Sequence, residues 1–107
     1  MNYDVLIIAD AQEDLYEIYK YVATHDSINN AEHLLTKLEE TCYSLITSPN
    51  RGHFPPELER IGVLNYKEIH FKPYRIIYQI MESKVMVHCV LDGRRDLQQL
   101  LQKRLLR

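Results

Sequence analysis

The chain has 107 residues, 46% apolar and 26% charged, the size and make-up of one globular domain that buries about 65% of its unfolded surface. No apolar run reaches the ~20 residues of a bilayer-spanning helix, and Met1-Asn2-Tyr3-Asp4 lacks the basic start of a signal peptide, so a cytoplasmic protein is expected. The formal net charge of −2 hides a polarity, because residues 1–50 carry two Lys/Arg against nine Asp/Glu and residues 51–107 carry eleven against six; either one half meets an electrostatic partner or the halves interleave and screen each other.

In chain order, Tyr3 to Ile8 is a β-branched and aliphatic run that predicts a strand. From Ala11 to about Thr24, Leu15, Ile18, Tyr19 and Val22 recur at the spacing of an amphipathic helix. Asp10 is its expected N-cap with Glu13 at capping-box spacing, and Glu13, Asp14 and Glu17 suit the positive helix start. Asp26-Ser27-Ile28-Asn29-Asn30 predicts a turn. The stripe Ala31, Leu34, Leu35, Leu38, Cys42, Leu45 and Ile46 predicts a second helix, antiparallel to the first. Ser48-Pro49-Asn50-Arg51-Gly52 ends this hairpin, and Pro55-Pro56 predicts an irregular connection of roughly 15 residues, long enough to be functional. Three strands are expected near 65–71, 74–81 and 85–91, with reversals at Pro73 and Glu82-Ser83-Lys84 short enough to force an antiparallel meander. Arg94 to Arg107 predicts a helix whose Leu97, Leu101 and Leu105 pack on the sheet. The order β-α-α-β-β-β-α is an α+β fold, one domain over residues 1–107, with the helix hairpin on one face of a small, mainly antiparallel sheet.

The candidate functional residues cluster in the second half. Arg75 opens an otherwise apolar strand, and Arg94 and Arg95 follow the Gly that closes the next one. A guanidinium must stay hydrated or paired, so arginines converging on one sheet end predict an anion or macromolecule contact. The competing expectation is that Arg75 pairs internally with Asp92 or Asp96. Arg51, beside Gly52, is either a turn residue paired with an acid or a further anion contact. His70 and His88 could be acid–base groups or packed sheet residues. Glu57 could serve as a base if its loop folds over the cationic strand ends, or stand solvated. Tyr66, Tyr74 and Tyr78 could stack on bases or pack within the sheet. Cys42 and Cys89 fall on buried faces and read as small core residues. No Cys-x-x-Cys or His-x-x-x-His spacing exists, and neither a metal nor a cofactor is expected.

The element order, Ser48-Pro49-Asn50-Arg51-Gly52 ahead of Pro56-Glu57-Leu58, then Tyr74-Arg75-Ile76-Ile77-Tyr78 and Asp92-Gly93-Arg94-Arg95-Asp96, together resemble the RelE/ParE toxin superfamily of type II toxin–antitoxin modules. The resemblance spans nearly the whole chain and is densest over residues 66–96. It implies a cognate antitoxin whose C-terminal segment wraps the toxin, in a hetero-oligomer. It also implies one of two targets. ParE-like members inhibit DNA gyrase; RelE-like members cleave mRNA in the ribosomal A site, which requires a base, phosphate-holding cations and an acid. On the RelE side the resemblance would assign Lys67, Arg75 and Arg95 to the phosphate. Against cleavage, no Tyr follows Tyr78, no His follows His88, and Glu68 or Ile69 stands where a second strand lysine is usual. Arg94-Arg95-Asp96-Leu97 is more similar to the ParE side, although Asp92 replaces a frequent His. The ParE-like reading is therefore preferred, with Arg51, Arg75, Arg94 and Arg95 as its contact residues and gyrase as target; ribosome and mRNA are the alternative.

Overall fold

The structure, a computed structural model, describes residues 2–106. Strand β1 (Asp4–Ile7) runs into helix α1 (Ala9–His25), and α2 (Ile28–Tyr43) returns beside it. Helix α1 begins earlier than the Asp10 cap predicted: Ile8 occupies the cap position with no side-chain cap, and Asp10 sits inside the first turn. The reason lies in the sheet. The Ile8 N–H donates to Val87 O (3.1 Å) while the Ile8 carbonyl already accepts from Gln12 N (2.9 Å), so strand and helix share one residue. Helix α2 also starts earlier than expected, at Ile28, because Ser27 Oγ accepts from Asn30 N (3.0 Å) and satisfies a donor of the first turn.

The connection after α2 is less irregular than its prolines suggested. It holds two 3₁₀ turns, Ser44–Ile46 and Pro49–Arg51, and a one-turn helix α3 (Pro56–Glu59). Pro56 stands at the start of α3, where a missing N–H costs nothing and a fixed φ favours the helix.

Strands β2 (Lys67–Phe71), β3 (Tyr74–Met81) and β4 (Lys84–Asp92) form the expected antiparallel meander. Strand β1 joins it in parallel beside β4, from Asp4↔Lys84 to Ile7↔Val87, giving the order β1-β4-β3-β2. A bulge in β4 sets Ile77 opposite Cys89 and Tyr78 opposite Val87, so His88 is left over. Beyond β2, a single antiparallel bridge ties His53 to Glu68.

The sheet is buried on both faces. Leu15, Leu38, Cys42 and Leu45 of the hairpin side close over Ile76, Tyr78, Val85, Val87 and Val90. On the opposite face Leu58, Leu97 and Leu101 close over Ile77, Cys89 and Leu91, with Leu105 partly buried against them. The tail's boundary also departs from expectation. Helix α4 spans Gln98–Leu105, and Arg94-Arg95-Asp96 lies before it, in the segment that turns at Gly93-Arg94, with Asp96 Oδ1 accepting from Gln98 N (3.1 Å). Arg104 of α4 clamps Asp14 of α1 through two hydrogen bonds of 3.0 and 3.1 Å, and also donates to His88 O (3.0 Å) at the bulge. Among the described residues this is the one ion pair joining the acidic half to the basic half. Cys42 and Cys89 are free and buried on opposite faces, each thiol pushed up to about 12 by burial. No helix of the described chain is long and apolar enough to cross a membrane.

Candidate functional site at the cationic end of the sheet

Register brings Arg75 and the Asp92–Arg95 segment to the same sheet end, since Tyr74 lies opposite Asp92 and Arg75 opposite Leu91. Their side chains then part. Arg75 shares the face of Ile77 and turns toward α3. Its Nη1 and Nη2 donate to Glu57 Oε2 and Oε1 (2.7 Å each), while Nε and Nη2 donate to Glu68 Oε2 and Oε1 (2.9 and 2.6 Å). His70 Nε2 lies 2.5 Å from Glu68 Oε2 on the same edge strand. Side-chain exposures of 13% for Arg75, 14% for Glu57 and 2% for Glu68 make this a mostly buried network. The expected internal partners Asp92 and Asp96 are thus corrected to Glu57 and Glu68. Glu57 is no solvated loop carboxylate: Arg75 holds it below the usual carboxylate range, and burial opposes that effect. Gly93 makes the arrangement possible, because a Cβ there would stand 2.8 Å from Arg75 Cγ and Cδ and 2.9 Å from Pro73 O.

Arg94 and Arg95 remain outside. Arg94, 72% exposed, folds back on Asp92 through its backbone N–H (2.9 Å), Nε (3.0 Å) and Nη2 (2.6 Å), and this holds the Asp92 carboxyl down at about 2. Arg95 is exposed, its backbone N–H directed at Asp92 O (3.5 Å). Both border an open groove between α1 and α4 that Tyr21, Tyr74, Leu100 and Arg104 also line.

The other candidates are dispersed. Lys67 lies opposite Tyr78, hence on the hairpin face of the sheet and away from Arg75, with its Nζ 4.9 Å from the Phe54 ring centre. Arg51 donates to Ser44 Oγ (2.5 Å) at the start of the connection rather than pairing with an acid. Tyr78 is fully buried; its hydroxyl donates to Pro49 O (2.6 Å) and accepts from Gly52 N (3.2 Å). Gly52 is required there, since a Cβ would stand 2.5 Å from that hydroxyl and 2.7 Å from Glu68 O. Tyr66 packs edge-on against His88 and donates to Leu105 O (3.3 Å), while Tyr74 is part-buried at the groove. His88 is part-buried with Nε2 3.3 Å from Gln79 Oε1, and burial, aided by Arg104, pushes its imidazole below the ordinary value against Asp10.

Sequence reasoning missed Glu68, which it treated only as a replacement for a lysine, and the Asp14–Arg104 clamp. The available signal for Glu68 was an acid that the β2–β3 hairpin register puts on the same face as the arginine opening the next strand. Residues 14 and 104 carried no such signal.

A four-stranded sheet with a helix hairpin on one face and a C-terminal helix on the other defines the RelE/ParE-like fold. Three solved structures share it. Superposition on the chromosomal ParDE toxin–antitoxin system of P. aeruginosa gives a TM-score of 0.70 at 14% identity, covering 82% of this chain and 92% of that one. The RelBE2 toxin–antitoxin complex of Mycobacterium tuberculosis gives 0.62 at 19% identity, covering 84% and 96%. A free E. coli RelE toxin carrying two arginine-to-alanine substitutions gives 0.65 at 14% identity, covering 99% and 97%. At such identities the likeness speaks for the fold alone, and no curated protein sequence matches the chain. The sequence pattern of the ParE toxin of the type II toxin–antitoxin system parDE matches residues 5–97. The chain belongs to this ParE toxin family, within the RelE/ParE superfamily.

Proposed function

We propose that this toxin arrests growth by inhibiting DNA gyrase, that Arg94 and Arg95 contact the target, and that a cognate antitoxin neutralises it. The observation that carries the choice of target is the fate of Arg75. Cleaving RNA would need that guanidinium free beside the scissile phosphate, with an acid and a base in reach. Here it is closed between two carboxylates, Lys67 lies on the other sheet face, and the described residues after His88 include neither His nor Tyr. The ParE match over residues 5–97 supports the same reading. Arg75 then acts as a positioning residue that anchors the β3–β4 end, and Arg94 and Arg95 present the exposed charge. The P. aeruginosa and M. tuberculosis relatives are toxin–antitoxin assemblies, which supports an antitoxin for this chain. The groove between α1 and α4 offers Tyr21, Tyr74 and Leu100 to the apolar side of an amphipathic helix. Although Asp14 and Asp92 pair with Arg104 and Arg94 on its walls and Glu17 lines it too, Arg95 adds an exposed cation for an acidic residue.

The test is plasmid supercoiling by purified gyrase titrated with antitoxin-stripped protein, alongside ribosome-programmed mRNA cleavage. Inhibition with accumulation of cleaved plasmid supports the proposal. Unimpaired supercoiling together with mRNA cleavage would overturn it in favour of the RelE-like activity.

A further inference from the structure

The bridge between His53 and Glu68 places a second constellation at the sheet edge. The two residues exchange both backbone hydrogen bonds, His53 N to Glu68 O (3.1 Å) and Glu68 N to His53 O (2.7 Å), so their side chains leave the same face as neighbours. His70 is two residues beyond Glu68 on β2 and projects on that face as well. One imidazole nitrogen of His53, one of His70 and a carboxylate oxygen of Glu68 all lie within 4.8 Å of one another. The two rings meet edge to face at 5.1 Å, and both are exposed while Glu68 is buried. Backbone pairing, rather than a chance approach of flexible side chains, fixes this grouping.

We infer that His53, Glu68 and His70 form a binding site for a borderline transition ion of the Zn²⁺ class. Two imidazoles and one carboxylate suit zinc, cobalt or nickel, whereas magnesium and calcium prefer all-oxygen sets. Tetrahedral bonds of about 2.0–2.1 Å put ligand atoms about 3.3 Å apart. The ion therefore replaces the proton between His70 Nε2 and Glu68 Oε2, while the exposed His53 ring swings in to complete the set. A fourth position faces solvent. Arg75 is the outer partner, its Nε and Nη2 orienting the two oxygens of Glu68 as an outer hydrogen-bond donor orients a metal-bound carboxylate. The electrostatics permit it, because Glu57 and Glu68 share the single Arg75 guanidinium. The bound ion would pin the Gly52–His53 segment, and with it the seat of the Tyr78 hydroxyl, to β2. No spacing of the Cys-x-x-Cys kind could announce such a site, since two ligands are 15 residues apart in sequence and paired only by the sheet.

The experiment is calorimetric titration of the purified full-length chain with Zn²⁺, repeated with Mg²⁺, and with Co²⁺ followed by its visible absorption. The expected result is one Zn²⁺ per chain, a Co²⁺ spectrum of nitrogen–oxygen ligation, no heat with Mg²⁺, and a thermal midpoint that rises with Zn²⁺. His53→Ala removes an exposed ring and leaves the Arg75 network in place. It should weaken binding at least about tenfold and abolish the Zn²⁺-dependent rise. His70→Ala should do the same. Lack of saturable binding would overturn the inference. So would binding indifferent to both substitutions, which would put the ion on other histidines or on the thiols.

Discussion

Arg75 and Arg94 stand at one end of the same sheet and meet opposite fates. Arg75 lies on the inner side, where α3 brings Glu57 over it and β2 supplies Glu68, so its charge is spent within the fold. Arg94 lies beyond Gly93, outside every layer, and its only carboxylate partner among the described residues is Asp92, two positions back. A buried pair becomes costly when one member is removed, because the other is left charged without compensation, whereas an exposed pair competes with water and contributes little. Two arginines that look alike in sequence thus divide into a structural residue and a surface one. Removing the first should harm the fold, whereas removing the second should not.

Substitution tests that division most severely at the buried network. Arg75→Ala leaves Glu57 and Glu68 facing each other and should cost about 3 kcal/mol of stability, read by chemical denaturation; an unchanged midpoint would erase the contrast. Next comes the anchor of the connection that carries α3. Tyr78→Phe strands Pro49 O and Gly52 N and should cost about 2 kcal/mol, with Gly52→Ala at least as damaging because of its contact with Glu68 O.

Acid should separate the regions again. Glu57 has a folded pKa below its ordinary 4.5, so its contribution is present above that pH and is lost as pH falls through the lower folded value. His88 is also depressed, below 6.5, so the unfolded chain takes the proton first and stability declines as pH falls from 6.5 toward the folded value. The thermal midpoint should therefore drop in two stages. His88→Gln should remove the first and Arg75→Ala should blunt the second; a midpoint flat across both windows would contradict the assignment. The smallest effect on stability belongs to the exposed corner. Arg94→Ala/Arg95→Ala should leave the thermal midpoint where it is while growth arrest on induction is lost. Persistent toxicity of a folded double variant would remove these residues from the proposed contact.

Much of the fold was legible because periodicity reports directly on burial. The stripe Leu34, Leu38, Cys42 had to be a helix face, although Leu45 and Ile46, expected to extend it, lie in the 3₁₀ turn that follows. Strands separated by Pro73 or by Glu82-Ser83-Lys84 had to pair antiparallel. Of the residues carrying the family resemblance, Tyr74 to Tyr78 lie in β3 while Ser48 to Gly52, Pro56 to Leu58 and Gly93 to Asp96 lie in the connections, and their spacing along the chain made the superfamily legible. Helix boundaries were less legible: Ser27 outcompeted the expected turn through one side-chain hydrogen bond, and Ile8 served strand and helix together.

What the one-dimensional pattern could not reach was partnership. Whether Arg75 meets Asp92, Asp96, Glu57 or Glu68 depends on strand register and on where a one-turn helix settles. The Asp14–Arg104 clamp closes across 90 residues and the His53–Glu68 bridge across 15. The sequence by itself determined the elements, their order and the family, because local burial patterns encode those. Tertiary structure alone decided which cations are consumed and which are offered, because a charge acquires its role from whatever the fold brings within hydrogen-bond reach.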